Sequence, residues 1–231
     1  MRVSVITFPG SNCDHDTVDV FAALGHDSRT IWHKDTDLQN PDLVVLPGGF
    51  SYGDYLRSGA LARFSPIMKE VISFARKGGY ILGICNGFQV LTEAQLLPGS
   101  LLANENLDFV CRHQNIRVET SNSPWTYGLN KGRILDIPIA HKKGRFHLDK
   151  AQLEILEGND QVIFRYADEE GQITPEANPN GSANNIAGIC SVNRRILGMM
   201  PHPERAATKA VVSSDGYEIL KAFENFLASG N

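Results

Sequence analysis

The sequence predicts an α/β protein: an open, mostly parallel sheet with helices on both faces, plus a small antiparallel extension. Three observations predict it. Up to about residue 104, strands rich in Val, Ile and Leu alternate with amphipathic helices, the pattern of a parallel sheet covered on both faces. Beyond that point the alternation stops and apolar segments follow one another with few helices between them. At 231 residues, with 42% apolar and 21% charged residues, the chain has a globular composition and enough length to bury a large core. A single domain over residues 1–231 is expected.

The elements follow in order. Val3 to Phe8 reads as the first strand and ends in Pro9-Gly10. Ser11 and Asn12 can cap a helix carrying Val18, Val20, Phe21 and Leu24, which Gly25 stops in a left-handed C-cap. Ser28 to Trp32 and Asp42 to Leu46 are the next strands, the latter running into Pro47-Gly48-Gly49-Phe50. Ile67, Met68, Val71, Ile72 and Ala75 share one helix face, and Gly78-Gly79 ends that helix before an apolar strand that starts at Tyr80. Later strands are expected over 107–119, 133–140 and 161–167, with a helix at 149–157 and loops at 121–132, 141–147 and 171–185. Asn178-Pro179-Asn180-Gly181-Ser182 is too dense in turn formers for a regular element. Ile186 to Ser191 and Ile196 to Met200 are two short strands, and Asp215 to Ala228 is a closing helix.

The strand at Tyr80 enters Gly83-Ile84-Cys85-Asn86-Gly87 and then a helix, which is the spacing of a nucleophile elbow. Glycines two before and two after the nucleophile leave room where a Cβ would strike the neighbouring strand and helix. The helix N-terminus favours a thiolate at Cys85. A nucleophile needs a base, and His202, in Met200-Pro201-His202-Pro203-Glu204, precedes a proline and is biased to extended backbone. There the Glu204 carboxylate falls on the same side as the His202 ring, where it can orient it. Oxyanion donors are offered by the Asn86 amide and by Gly49 or Phe50 in the loop after the third strand. Gln89, one turn beyond Cys85 on the same helix face, can hydrogen-bond a polar substrate.

Composition excludes other classes. A net charge of −4 with interspersed signs gives no case for nucleic acid or an anionic membrane as partner. No apolar run approaches the length of a membrane span, and the start of the chain lacks a signal-peptide pattern. Cys13, Cys85, Cys111 and Cys190 show no zinc spacing and are expected as free thiols in a reducing cytoplasm. No metal site is expected, since Cys13, Asp14, His15 and Asp16 read as a helix start.

Gly83 to Gln89, Pro47-Gly48-Gly49 and His202-Pro203-Glu204, in this order, resemble the class I, triad-type glutamine amidotransferases, whose core is flavodoxin-like. The resemblance implies that Cys85 attacks the carboxamide of glutamine, that His202 shuttles the proton and that Glu204 orients His202. Gly48 and Gln89 would then bind the substrate glutamine. Phe8 to Asp14, Pro47 to Ala60, Asn178 to Ser182 and Gly198 to Arg205 extend the likeness to the glutaminase subunits of phosphoribosylformylglycinamidine synthase. That implies ATP-dependent conversion of formylglycinamide ribonucleotide to the amidine in purine synthesis, with ammonia passed to a separate synthetase subunit and a small accessory subunit bridging the two. The chain has no P-loop pattern and no room for a synthetase domain, so no cofactor is expected on it, and ATP and Mg²⁺ are expected on the partner. Tyr52, Asp54, Tyr55 and Arg57, beside the oxyanion loop, and the basic loop His141, Lys142, Lys143 and Arg145 are candidate docking surfaces. The competing expectations are a cysteine hydrolase of the dienelactone or peptidase type, separated by its indifference to glutamine, and a non-catalytic binding module, which predicts a missing triad member.

Overall fold

β-branched and leucine-rich segments that are buried on both faces form the first layer. The computed structural model describes residues 1–207 and 212–230 and separates into two compact units, Met1–Pro98 with Arg195–Gly198, and Gly99–Arg194 with Met199–Asn231.

In the first unit, β1 (Arg2–Thr7) pairs in parallel with β2 (Asp27–Trp32) and β3 (Leu43–Leu46), and β3 pairs in parallel with β4 (Tyr80–Ile84). All four residues of β3 are fully buried, as a central strand covered on both faces requires. Helices α1 (Asp14–Ala23), α2 (Ile67–Arg76) and α3 (Asn86–Glu93) follow β1, β3 and β4. The expected apolar face of α2 is buried at Ile67, Met68, Val71 and Ala75, and Gly25 and Gly78 take the left-handed conformation just past the ends of α1 and α2. The Ser11/Asn12 cap is not formed. Cys13 is the N-cap of α1 without a side-chain capping bond, and Ser11 Oγ instead accepts from Phe8 N–H at 3.1 Å.

The second unit contains β5 (Ser100–Leu102), β6 (Val110–Val118), β7 (Ile134–His141), β8 (Arg145–His147), α4 (Lys150–Gly158), β9 (Val162–Tyr166), β10 (Ile186–Cys190) and α5 (Asp215–Ala228). β11 (Ile196–Met199) returns beside β4, and Ile81 N–H donates to Arg195 C=O at 3.0 Å. β6 pairs antiparallel with β7 and β9, and β9 with β10. A separate antiparallel ribbon joins β5 and β8. The expected antiparallel extension is therefore present in β6, β7 and β9, and β8 corrects the expected loop at 141–147. Three-residue strands carry too few residues for a period to show. Loop 121–132 holds a 3₁₀ turn, Pro124–Thr126, whose Trp125 stacks on Phe223 of α5 with ring centroids 4.5 Å apart. No helix among the described residues is long and apolar enough to cross a membrane.

Candidate active site

Parallel pairing brings the carboxyl ends of β1, β3 and β4 to one edge of the first sheet, where ligand sites of such sheets lie. Cys85 sits there between β4 and α3 with φ +51° and ψ −103°, a left-handed conformation that costs about 1–3 kcal/mol for a non-glycine residue and that surrounding structure must hold. The flanking glycines hold it by close approach. A Cβ on Gly87 would stand 1.8 Å from Leu46 O at the end of β3, and one on Gly83 would stand 2.4 Å from a Leu91 methyl and 2.9 Å from Gly87 C. The elbow expected from spacing is thus present, with the steric cause that was expected for it. The thiol is buried and lies at the first turn of α3.

The loop after β3 is laid against the loop after β1. Phe50 N–H donates to Gly10 C=O at 2.9 Å, Cys13 N–H to Gly48 C=O at 3.3 Å and Tyr52 N–H to Pro9 C=O at 2.6 Å. A Cβ on Gly49, whose φ is +141°, would come within 2.8 Å of Asn12 N, and one on Gly10 within 2.3 Å of Phe50 O. Phe50 is thereby corrected as an oxyanion donor, because its amide is already spent on Gly10, and Gly49 stands as the candidate amide of this loop. The support that Phe8-Pro9-Gly10-Ser11 gives the loop was missed in the sequence. The paired Pro-Gly steps after β1 and β3 are the signal that marks it.

At the start of α3 the Asn86 carboxamide accepts from Ser51 N–H at 3.2 Å and donates to Gln89 Oε1 at 2.8 Å. Asn86, Gln89 and Ser51 are all buried. Sequence reasoning used only the main chain of Asn86; its side chain connects Gln89, expected to bind the substrate, to Ser51, two residues past Gly49.

In the second unit the structure brings His202 and Glu204 together, Nδ1 to Oε1 at 2.7 Å, with both side chains at 2% exposure or less. The route differs from the one expected. Glu204 lies in a 3₁₀ turn, Pro203–Ala206, that begins directly after His202. His202 N–H donates to Pro138 C=O of β7 at 2.9 Å. α5 seats on the turn because Gly216 has no Cβ, which would otherwise stand 2.1 Å from Pro203 O.

The same unit holds a polar network that spacing alone did not show. Buried His141 places Nδ1 3.2 Å from Asn104 Oδ1 and Nε2 3.5 Å from Asn180 Nδ2, while Asn180 also donates to Gly144 C=O at 3.0 Å and accepts from Ser182 Oγ at 2.7 Å. Asn104 Oδ1 also accepts from Gly144 N–H, so it is an acceptor and His141 carries its proton on Nδ1. Burial, reinforced by the nearby His202, lowers the His141 pKa to about 4. His141 is therefore a neutral, interior residue and not part of a basic docking loop; Lys142 of that loop is exposed, and Lys143 and Arg145 are half-buried.

Of the docking candidates beside the oxyanion loop, Tyr52 is tethered, its hydroxyl 2.8 Å from His33 Nδ1 and 2.9 Å from Ser65 Oγ. Arg57 forms a two-pronged pair with Glu93 at the end of α3, at 2.9 and 3.0 Å. Asp54 is half-buried and left-handed at φ +56°. Tyr55 is 75% exposed and its neighbour Leu56, which the sequence did not single out, 82%. Asp14 and Asp16 occupy the first turn of α1, in keeping with their reading as a helix start.

Residues 1–225 match the model of the family described as CobB/CobQ-like glutamine amidotransferase domain. The chain is 53% identical over 229 residues to the phosphoribosylformylglycinamidine synthase subunit PurQ of Koribacter versatilis, covering 99% of each chain. It is 54% identical over 228 residues to the PurQ subunit of a Nostoc species, covering 98% of this chain and 97% of the relative. Among solved structures, a chain of PurLQS from Thermotoga maritima superposes with a TM-score of 0.86 at 36% identity, covering 98% of both chains.

Proposed function

We infer the chemistry of this chain from its family: it belongs to the CobB/CobQ-like glutamine amidotransferases and, within them, to the PurQ subunits of phosphoribosylformylglycinamidine synthase. It is the glutaminase subunit, which releases ammonia from glutamine for conversion of formylglycinamide ribonucleotide to the amidine. The observation that carries this reading is Cys85, a buried thiol in a left-handed backbone conformation at the mouth of α3.

In the proposed reaction the Cys85 thiolate attacks the carboxamide carbon of glutamine. The oxyanion is taken by the backbone amides of Asn86 and Gly49, a preorganised donor being worth roughly 3 kcal/mol in the transition state. His202 gives the proton to the departing ammonia, and Glu204 stabilises the imidazolium that precedes it. Water, deprotonated by His202, then cleaves the γ-glutamyl thioester and restores the thiol. Gly48 and Gln89 contact the bound glutamine.

The same reading assigns ATP and Mg²⁺ to the synthetase subunit and gives this chain a second partner, a small accessory subunit. Tyr55 and Leu56, exposed beside the oxyanion loop, support docking of the synthetase there. A cytoplasmic site of action accords with four cysteines that form no disulfide among the described residues. The test is glutamine hydrolysis by the pure protein, with and without synthetase, accessory subunit, ATP and ribonucleotide. Glutamine-dependent ammonia release that rises on assembly is expected, and turnover of small esters or peptides in place of glutamine would overturn the reading.

A further inference from the structure

Donor and acceptor identities around Asn86 fix more than the elbow. Ser51 N–H can only donate, so the carboxamide oxygen of Asn86 must face it. The NH₂ group of Asn86 must then face Gln89, and Gln89 must answer with its oxygen. The orientation of both amides thus follows from one backbone N–H, and the Gln89 NH₂ group is turned away from Asn86. Ser51 lies two residues past Gly49, at the entry to a segment in which Tyr52, Gly53 and Asp54 are all left-handed. Such a segment keeps its shape only where the surroundings over-determine it, and the Asn86 carboxamide ties it directly to the helix that begins at the nucleophile. Neither neighbour in amide chemistry would serve: aspartate has no donor for Gln89, and leucine leaves the buried Ser51 N–H without an acceptor.

We propose that the Asn86 side chain is a positioning residue with two separable tasks: its oxygen sets the oxyanion loop through Ser51, and its NH₂ group locks the Gln89 amide in the orientation that meets glutamine. The proposal rests on the glutaminase reading. It places kcat on the Ser51 bond and KM on the Gln89 bond.

The experiment uses the reconstituted complex, with glutamine or ammonium chloride as nitrogen source. Asn86→Ala should lower kcat with glutamine about 10- to 100-fold and raise KM, with the ammonium-dependent rate unchanged. Asn86→Asp keeps the acceptor for Ser51; at its own pH optimum it should recover most of the lost kcat, keep the raised KM and shift the acidic limb of the rate profile to higher pH. Gln89→Leu should raise KM with little change in kcat, and adding Asn86→Asp to it should raise KM no further. Wild-type kinetics in Asn86→Ala, equal loss of kcat in the alanine and aspartate variants, or parallel loss of the ammonium-dependent rate would overturn the proposal. A wild-type complex that ignores glutamine but uses ammonium would instead sink the glutaminase reading itself.

Discussion

The proposed nucleophile and the proposed base of this protein are held in place by different means. Around Cys85 most of the fixing contacts are close approaches made possible by missing side chains at Gly83, Gly87, Gly49 and Gly10, with the Asn86 carboxamide added between helix and loop. Around His202 they are hydrogen bonds, Glu204 Oε1 on the ring and Pro138 C=O on the main-chain N–H, and the same unit buries the polar set of Asn104, His141, Asn180 and Ser182. The difference suits the chemistry. A thiolate needs amides brought close to the reacting carbon with nothing in the way, whereas an imidazole needs a defined tautomer, which only hydrogen-bonding partners can impose.

Substitutions can break either side of this contrast. The largest effect is expected at the polar end: Glu204→Gln keeps an acceptor but removes the charge, and should lower glutamine-dependent kcat by roughly 10³- to 10⁴-fold while ammonium-dependent synthesis continues. A loss under tenfold would mean that Glu204 does not hold the imidazolium. At the glycine end, Gly87→Ala forces a methyl against Leu46 O, 1.8 Å away. It should cost about 3 kcal/mol or more in urea unfolding, and a cost below about 1 kcal/mol would show that the elbow does not depend on close approach.

A subtler contrast is in pH. His141 titrates at about 4 when folded and near 6.5 when unfolded. The unfolded chain therefore binds the proton first, and stability should fall as pH drops from 6.5 toward 4, by up to about 3 kcal/mol, of which about 2 kcal/mol is gone at pH 5. Above pH 6.5 the group has no effect. Urea midpoints of wild type and His141→Gln at pH 7 and pH 5 measure this, and an unchanged wild-type dependence in the variant would remove His141 as its source. The smallest effect is expected from Tyr52→Phe, which deletes the hydroxyl shared by His33 and Ser65 and should cost about 1 kcal/mol.

The glycine-held end was legible in the sequence because its cause is local: a fixed spacing around Cys85, and Pro-Gly and Gly-Gly steps at strand ends. The parallel strands and their helices were legible for the same reason, since β-branched runs and helical periodicity repeat within a few residues. The polar end was legible only at His202 and Glu204, two residues apart. His141 sits 37 residues from Asn104 and 39 from Asn180, and beside two lysines it reads as surface until the fold buries it. Phe50 could not be told from Gly49 as an amide donor without knowing that the Pro9-Gly10 loop takes up its N–H. Tyr52 reads as exposed until His33 and Ser65, 19 and 13 residues away, are seen to hold its hydroxyl.

The proposed role of Cys85 is only to free ammonia from glutamine. It is tested most directly by Cys85→Ala in the reconstituted complex, assayed for amidine formation with each nitrogen source. Glutamine-dependent formation should vanish while the ammonium-dependent rate stays at the wild-type level. Loss of both rates would make Cys85 a structural residue, and persistence of the glutamine-dependent rate would place the nucleophile elsewhere.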